Sequence, residues 1–277
     1  MIGNNRFDNE NRYTGRQKRE MEYYEEYVKL LDFQEVSFDP IDGKHSRPWN
    51  PYWYVYDLAR EYFSIERKKL LDFGCGCGTT SLRFAKIGYE VSGFDISNSS
   101  IKVANTLAKK YGFEKQIELT QQTAETLSYP SDQFDIIVGF DILHHVDIEA
   151  AISECKRVLK KNGVAIFKEP VESPVLDDLR NTNFVKYFVP KEKNYTPGKH
   201  ITQDERKLNS EDLIIIKKIF SGVKEEKFTF LSRFDIFFRR FYGKKASPLE
   251  MIDYVIFKYI PYMKKFGSDA VFILNKV

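Results

Sequence analysis

The 277-residue sequence has only three cysteines, Cys75, Cys77 and Cys155, an odd number that argues against a framework of disulfides and for a reducing, cytoplasmic setting. Two of them flank Gly76, and no second cluster of Cys or His lies nearby to complete a tetrahedral zinc site, so no metal is expected. No apolar run approaches the ~20 residues of a membrane span. Met1 to Arg19 lacks the apolar stretch of a signal peptide, and a soluble protein is expected. Internal repeats and low-complexity tracts are absent. Net charge is only +3, from 43 Lys and Arg against 40 Asp and Glu, too small by itself to argue for a nucleic-acid partner.

What is present is core material: 42% hydrophobic and 15% aromatic residues, enough to exclude wholesale disorder. The length suits one large α/β domain with insertions, or a domain plus a cap. Charge is uneven along it. From Lys217 onward 13 basic residues face 6 acidic ones, net +7, which leaves net −4 before it. A solvated lysine-rich face explains this, and a surface for an anionic partner is the sharper alternative.

Tyr23, Tyr27, Leu30 and Leu31 recur at helical spacing over 16–33, and 52–63 also reads as helix. Between them the stretch 39–51 is a loop carrying His45 and Trp49. From Lys69 the pattern alternates. Strands are expected at 69–73, 90–95, 116–120, 134–140 and 163–167, with helices after the glycine turn and at 99–111 and 148–159. Alternation of this kind implies parallel pairing through right-handed crossovers, hence a doubly wound sheet. The irregular stretch 171–209 is too long for an ordinary connection. Ser210 is expected to cap a helix to Phe220, with a strand at 226–230, helices at 234–242 and 249–266, and a last strand at 270–276.

The first strand runs into Asp72-Phe73-Gly74-Cys75-Gly76-Cys77-Gly78 and then a helix. Glycines at such a turn let the backbone bend sharply and let a ligand approach with no Cβ in the way. A dinucleotide fingerprint, G-x-G-x-x-G, would hold a pyrophosphate at the helix start. Here the third glycine comes one residue early, and Asp72 would repel a pyrophosphate but favour an ammonium or sulfonium group. Asp95, followed by Ile96, ends the second strand 17 residues beyond Gly78, where an acid can accept both hydroxyls of a ribose. A nucleoside with a cationic, amine-bearing tail fits both acids.

Leu70 to Gly78, Asp95 and the Phe140-Asp141-Ile142-Leu143-His144-His145 segment together resemble the class I S-adenosylmethionine-dependent methyltransferase family, over about 69–170. The resemblance implies a Rossmann-like seven-stranded sheet with its last strand antiparallel. It also implies an amino-terminal helical lid over 1–68, and a domain over 69–277 with acceptor-binding insertions at about 171–209 and 231–267. It implies S-adenosylmethionine as cofactor, over a floor of Gly74, Cys75, Gly76 and Gly78, with Asp72 near the amino group and Asp95 and Ile96 at the ribose. Thr123, Ala124 and Glu125 fall where the family has an acid-alanine-acid run near the adenine, and here the first acid is missing. Phe140 would line the methionine side, or simply pack in the core.

Methyl transfer is an in-line displacement, so the main task is to hold the acceptor atom behind the methyl and keep water out. An acceptor hydroxyl or protonated nitrogen also needs a base. His144, His145 and Glu169 lie at the carboxyl edge of the sheet and are the candidates. The histidines could instead only shape the pocket, and Glu169 could pair with Lys168 or a surface lysine. Trp49, Tyr52, Trp53 and Tyr54 could wall the sulfonium through cation–π attraction or pack on the sheet, and His200 reads as a solvent-facing loop residue. The aromatic and basic carboxyl region invites an apolar acceptor pocket or contact with an anionic surface through Arg239, Arg240, Lys244 and Lys245.

The expected function is transfer to an oxygen or nitrogen of a small molecule. Transfer to RNA or protein, a silent cofactor-binding scaffold and a nicotinamide dehydrogenase stand as alternatives. No Asn-Pro-Pro-Tyr, Asp-Pro-Pro-Tyr or Pro-Cys occurs, so no specific nucleic-acid signal is present. Whether the chain forms an oligomer is open.

Overall fold

The computed structural model describes residues 13–30, 35–42, 47–64, 68–173, 206–237 and 247–277. In chain order they form α1 (Gly15–Val28), α2 (Asp39–Asp42), α3 (Pro51–Tyr62), β1 (Lys69–Phe73), α4 (Thr79–Ile87), β2 (Glu90–Asp95), α5 (Asn98–Lys110) and β3 (Ile117–Gln121). Then follow β4 (Phe134–Phe140), α6 (Ile148–Val158), β5 (Leu159–Pro170), α7 (Ser210–Ile219), β6 (Gly222–Phe228), α8 (Pro248–Tyr259) and β7 (Asp269–Asn275). The seven strands form one sheet in the order β3-β2-β1-β4-β5-β7-β6, with β7 antiparallel to both neighbours and the rest parallel. This is the Rossmann-like architecture.

β1 and β4 are near-continuous apolar runs because both faces of a parallel sheet are covered. Successive residues face opposite layers. Leu70, Ile136, Val138 and Ile166 pack with Tyr56, Leu82 and Phe84, on the α3 and α4 side. Leu71, Phe73, Ile137 and Phe167 pack with Ile152, Ile216 and Phe220, on the α6 and α7 side. Each fully buried Leu, Ile or Phe among these contributes on the order of 2 kcal/mol. Both layers thus fix the sheet whose edge carries the site.

Several boundaries depart from the sequence reading. The face that α1 turns to the protein holds Glu20 and Val28, not the tyrosine and leucine set; Leu30 is exposed and Leu31 lies outside the described residues. Asn209, not Ser210, caps α7, accepting from Glu211 N and Asp212 N while Asp212 reaches back in a capping box. β6 begins at Gly222, four residues before the expected start, because Val-Lys-Glu-Glu-Lys at a sheet edge hides the strand behind charge. The expected 249–266 helix ends at Tyr259: Pro261 forces Ile260 out of helical geometry (φ −128°, ψ 72°), and a 3-10 turn, Pro261–Phe266, follows. β5 starts at Leu159, where it pairs with Phe134 across a register shift. Of the expected 234–242 helix, a 3-10 turn at Leu231–Phe237 is described. Residues 238–246 lie outside the described residues, as do His45, His200 and 174–205 of the expected insertion.

Candidate cofactor and acceptor site

Strand order reverses between β1 and β4, whose neighbours run outward on either side, and ligands of such sheets bind at the carboxyl ends there. A cavity of about 260 Å³ opens at this point. It collects Gly74 and Gly76 after β1, Asp95 and Ile96 at the end of β2, Thr123, Ala124 and Glu125 after β3, and Phe140 at the end of β4. Asp141, Ile142 and His145 complete the sheet side, and Gln17, Glu20 and Tyr24 of α1 close it from above.

The glycines of the turn do different jobs. Gly76 has φ +50° and open space where a Cβ would stand, so it leaves room on the cavity side. At Gly78, φ +78°, a Cβ would lie 2.6 Å from Ala104 Cβ, so this glycine lets α4 pack closely on α5. Gly78 and Cys75 do not line the cavity; Cys75 is buried, and burial pushes its thiol well above the ordinary range.

Asp72 also departs from expectation. It is 1% exposed and does not line the cavity. Its Oδ2 accepts from Thr80 Oγ1 at 2.6 Å and Ser81 Oγ at 2.5 Å, bracing the start of α4 behind the glycine turn. Burial raises its pKa to about 6, opposed by those two hydroxyls. Asp95 does face the cavity. Its Oδ2 accepts from Gly76 N at 3.0 Å and its Oδ1 from Ser97 N at 2.9 Å, and burial again lifts its pKa to about 6.

The two histidines part company. His144 is buried, its Nδ1 2.7 Å from Glu169 Oε2, and neither side chain lines the cavity. Glu169 Oε1 accepts the backbone N–H of Ile142 at 2.9 Å and of Leu143 at 2.8 Å. Glu169 therefore ties down the segment after β4, and among the described residues it pairs with neither Lys168 nor a surface lysine. His145 lines the cavity, between Tyr24 Oη, 3.3 Å from Nε2, and Glu20 Oε2, 3.2 Å from Nδ1. Both contacts come from α1. That helix is held further by Gln17 Nε2 donating to Glu125 Oε2 at 2.8 Å, Arg16 donating to His144 O at 3.1 Å, and Glu25 accepting from Ser97 and Ser99. Gln17, Glu20 and Tyr24 share one helix face at spacings of three and four, a polar stripe the sequence offered as a signal.

Asp141 is the residue the sequence reading quoted but did not use. Its φ of +52° is rare for a residue with a Cβ and lifts its carboxylate toward the cavity mouth. Oδ1 accepts from Lys168 Nζ at 2.7 Å, and Oδ2 accepts from the Tyr52 hydroxyl. Lys168 is buried and meets Asp269 Oδ1 at 2.8 Å as well. Burial opposes its charge, but Asp269 and Asp141 prevail and hold its pKa above the ordinary lysine value. Burial likewise keeps the Tyr52 phenol protonated above its usual range. Tyr52 stacks on Phe140 with centroids 5.6 Å apart. The other candidate wall residues point elsewhere: Trp49 to Tyr254, Trp53 to Arg47 and Tyr54 to Phe228.

The model of a methyltransferase domain family matches residues 71–167. An uncharacterized methyltransferase, YcgJ, of Bacillus subtilis (strain 168) is 37% identical over 116 residues, 41% of this chain and 46% of that protein. A ubiquinone biosynthesis O-methyltransferase of Azoarcus sp. (strain BH72) is 35% identical over 112 residues, 40% of this chain and 48% of that protein. The match thus spans about half the length of these curated relatives. Among solved structures, geranyl diphosphate methyltransferase in complex with GPP and sinefungin superposes with TM-score 0.57 at 12% identity, covering 95% of this chain and 100% of that one. YcgJ from the same Bacillus superposes with TM-score 0.53 at 21% identity, over 81% and 97% of the two chains. Both share the fold. The match runs from inside β1 to inside β5 and so contains every strand end that builds the cavity; over residues 71–167 the chain is similar to a methyltransferase domain, set in a sheet that has the fold of solved methyltransferases.

Proposed function

We propose that this chain transfers a methyl group from S-adenosylmethionine to an oxygen or nitrogen atom of a small-molecule acceptor. The observation that carries the reading is the cavity at the strand-order reversal, where Gly76, Asp95, the 123–125 segment and Phe140 meet. The cavity fits the cofactor in two ways. Gly76 leaves open the volume a side chain would fill, and the Asp95 carboxylate, preset by two backbone N–H groups, keeps lone pairs for two vicinal hydroxyls.

The cofactor supplies an electrophilic sulfonium methyl when bound. Asp95 holds the ribose, and Ile96 and Ala124 border the adenine with Thr123, which brings no carboxylate there. Glu125 is engaged by Gln17 of α1 and by Asp147 N, so its part is to fasten the lid. Phe140, backed by Tyr52, lines the methionine side. Asp141 sits beside it and would take the proton that an acceptor hydroxyl or amine gives up when it is methylated. His145 has both ring nitrogens facing α1 side chains, which suits it to holding the lid rather than to proton transfer. Glu169 and His144 position the segment that carries both.

Release of S-adenosylhomocysteine in the presence of a panel of small phenols, alcohols and amines tests the reading, with bulk RNA and protein as comparison arms. Stimulation by members of the small-molecule panel supports it. Stimulation by RNA or protein alone contradicts it.

A further inference from the structure

α8 and the 3-10 turn after it are apolar on the side turned away from the protein. The inner face is accounted for by Phe257 and by Asp253, whose carboxylate accepts the backbone N–H of Phe230, Leu231 and Ser232 at 2.7 to 2.9 Å. The outer face carries Met251, Ile252, Val255, Tyr259, Ile260 and Tyr262, with Val255 51%, Tyr259 72% and Tyr262 71% exposed. Positions 251, 252, 255 and 259 make one helical stripe, which Ile260 and Tyr262 extend. An apolar patch of this kind on a water-facing helix marks an interaction surface.

Charge identifies what covers it. Both acids of α8 point inward: Asp253 as described, and Glu250, which accepts from Asn50 Nδ2 at 3.1 Å. The exposed charges on this segment, Lys258 and Lys265, are both cations, and Lys265 Nζ lies 3.7 Å from the centroid of the Tyr262 ring. Apolar stripe, tyrosines at its end and cations at its rim are the arrangement of an element lying in a lipid headgroup layer. A second copy of this chain fits less well. Two-fold pairing would bring Lys258 and Lys265 toward their counterparts, with no exposed acid on the segment to meet them.

We propose that the outer face of α8 docks this protein on an anionic lipid surface, with the six apolar side chains at the acyl boundary and Lys258 and Lys265 at the phosphates. The inference is independent of the methyl-transfer reading. Flotation of the full chain with vesicles of phosphatidylglycerol and phosphatidylcholine, at about one to three, tests it against vesicles of phosphatidylcholine alone. Binding to the anionic vesicles is expected, weakening at least about tenfold between ~50 mM and ~500 mM salt. Ile252→Ser/Val255→Ser/Tyr259→Ser should lower the partition at least about tenfold, and Lys258→Gln/Lys265→Gln should weaken it and flatten its salt dependence. All five side chains are exposed, so an unchanged melting temperature separates loss of docking from loss of fold. Four results each overturn the proposal: no binding at low salt, equal binding to both vesicle types, full binding by the triple Ser variant, or a dimer in sedimentation equilibrium that this variant dissociates.

Discussion

His144 Nδ1 lies 2.7 Å from Glu169 Oε2 in a pair shut away from the cavity, one residue from a histidine that lines it. The pair belongs to the scaffold, and Glu169 carries most of its weight by also accepting from Ile142 N and Leu143 N. Glu169→Ala removes the carboxylate that the Ile142 and Leu143 N–H groups and the His144 ring share. A loss of about 3 kcal/mol of stability is expected, measured by denaturant unfolding, together with weaker cofactor binding. An unfolding midpoint like that of the parent would contradict this.

Asp95 gives a pH signature. Its pKa stands at about 6, raised from 3.8 by burial, so the carboxylate is fully ionised only above that value. Because the ionised form accepts the ribose hydroxyls, affinity for S-adenosylhomocysteine should be full above pH 6. It should fall as pH drops through 6, by up to about tenfold per unit. Asp95→Ala should cost at least about tenfold in affinity at pH 8 and flatten the profile. An affinity within a factor of about two of the parent would remove the ribose assignment.

Asp72 gives the opposite kind of pH dependence, in stability. A carboxyl raised from 3.8 to about 6 on folding stabilises the protein below the lower value, and that contribution is lost as pH rises through 6. Asn at this position can still accept from Thr80 and Ser81 but never ionises. Asp72→Asn should therefore gain on the parent by on the order of 3 kcal/mol between pH 4 and pH 7, a gap read from parallel urea melts.

The two glycines of the turn should separate affinity from stability. Gly78→Ala combines φ +78° with a 2.6 Å approach to Ala104 Cβ and should destabilise the fold by about 2 to 4 kcal/mol. Gly76→Ala sets its Cβ in open space, so beyond about 1 to 2 kcal/mol of backbone strain its effect should be a loss of cofactor affinity. Equal effects of both on binding at matched stability would remove Gly76 from the cofactor floor.

Asp141 and His145 are distinguished by turnover. Asp141→Asn keeps the Tyr52 and Lys168 geometry but cannot accept a proton, and should lower kcat by at least about a hundredfold with a hydroxyl acceptor. His145→Ala should act mainly on cofactor retention, because it releases Glu20 and Tyr24 of the lid. A pH–rate profile that loses its acidic limb in His145→Ala but not in Asp141→Asn would reverse the two roles.

Much of this was readable in advance, for physical reasons. β1 and β4 declare themselves because burial on both faces demands a near-continuous apolar run, and their ends with that of β2 locate Gly74, Gly76, Asp95 and Phe140 at one edge. β6 is an edge strand written in lysine and glutamate, and its alternation carries no apolar signal. On the 3-10 turn Leu143–His145, neighbouring residues point about 120° apart, so adjacency cannot say which histidine faces the ligand. Asp72 and Gly78 flank the turn, yet one points behind it and the other onto α5, a difference of side-chain direction that residue type does not carry. Lys168 finds its partners just after β4 and at the start of β7, at Asp141 and Asp269, and such a distant pairing leaves no local trace.

On the proposed function, the cavity above Gly76 and Asp95 holds S-adenosylmethionine. Calorimetric titration of the full chain with S-adenosylmethionine, S-adenosylhomocysteine and NAD in parallel tests it most directly. Micromolar binding of the first two and none of NAD is the predicted result; binding of NAD alone, or of none of the three, would contradict the account.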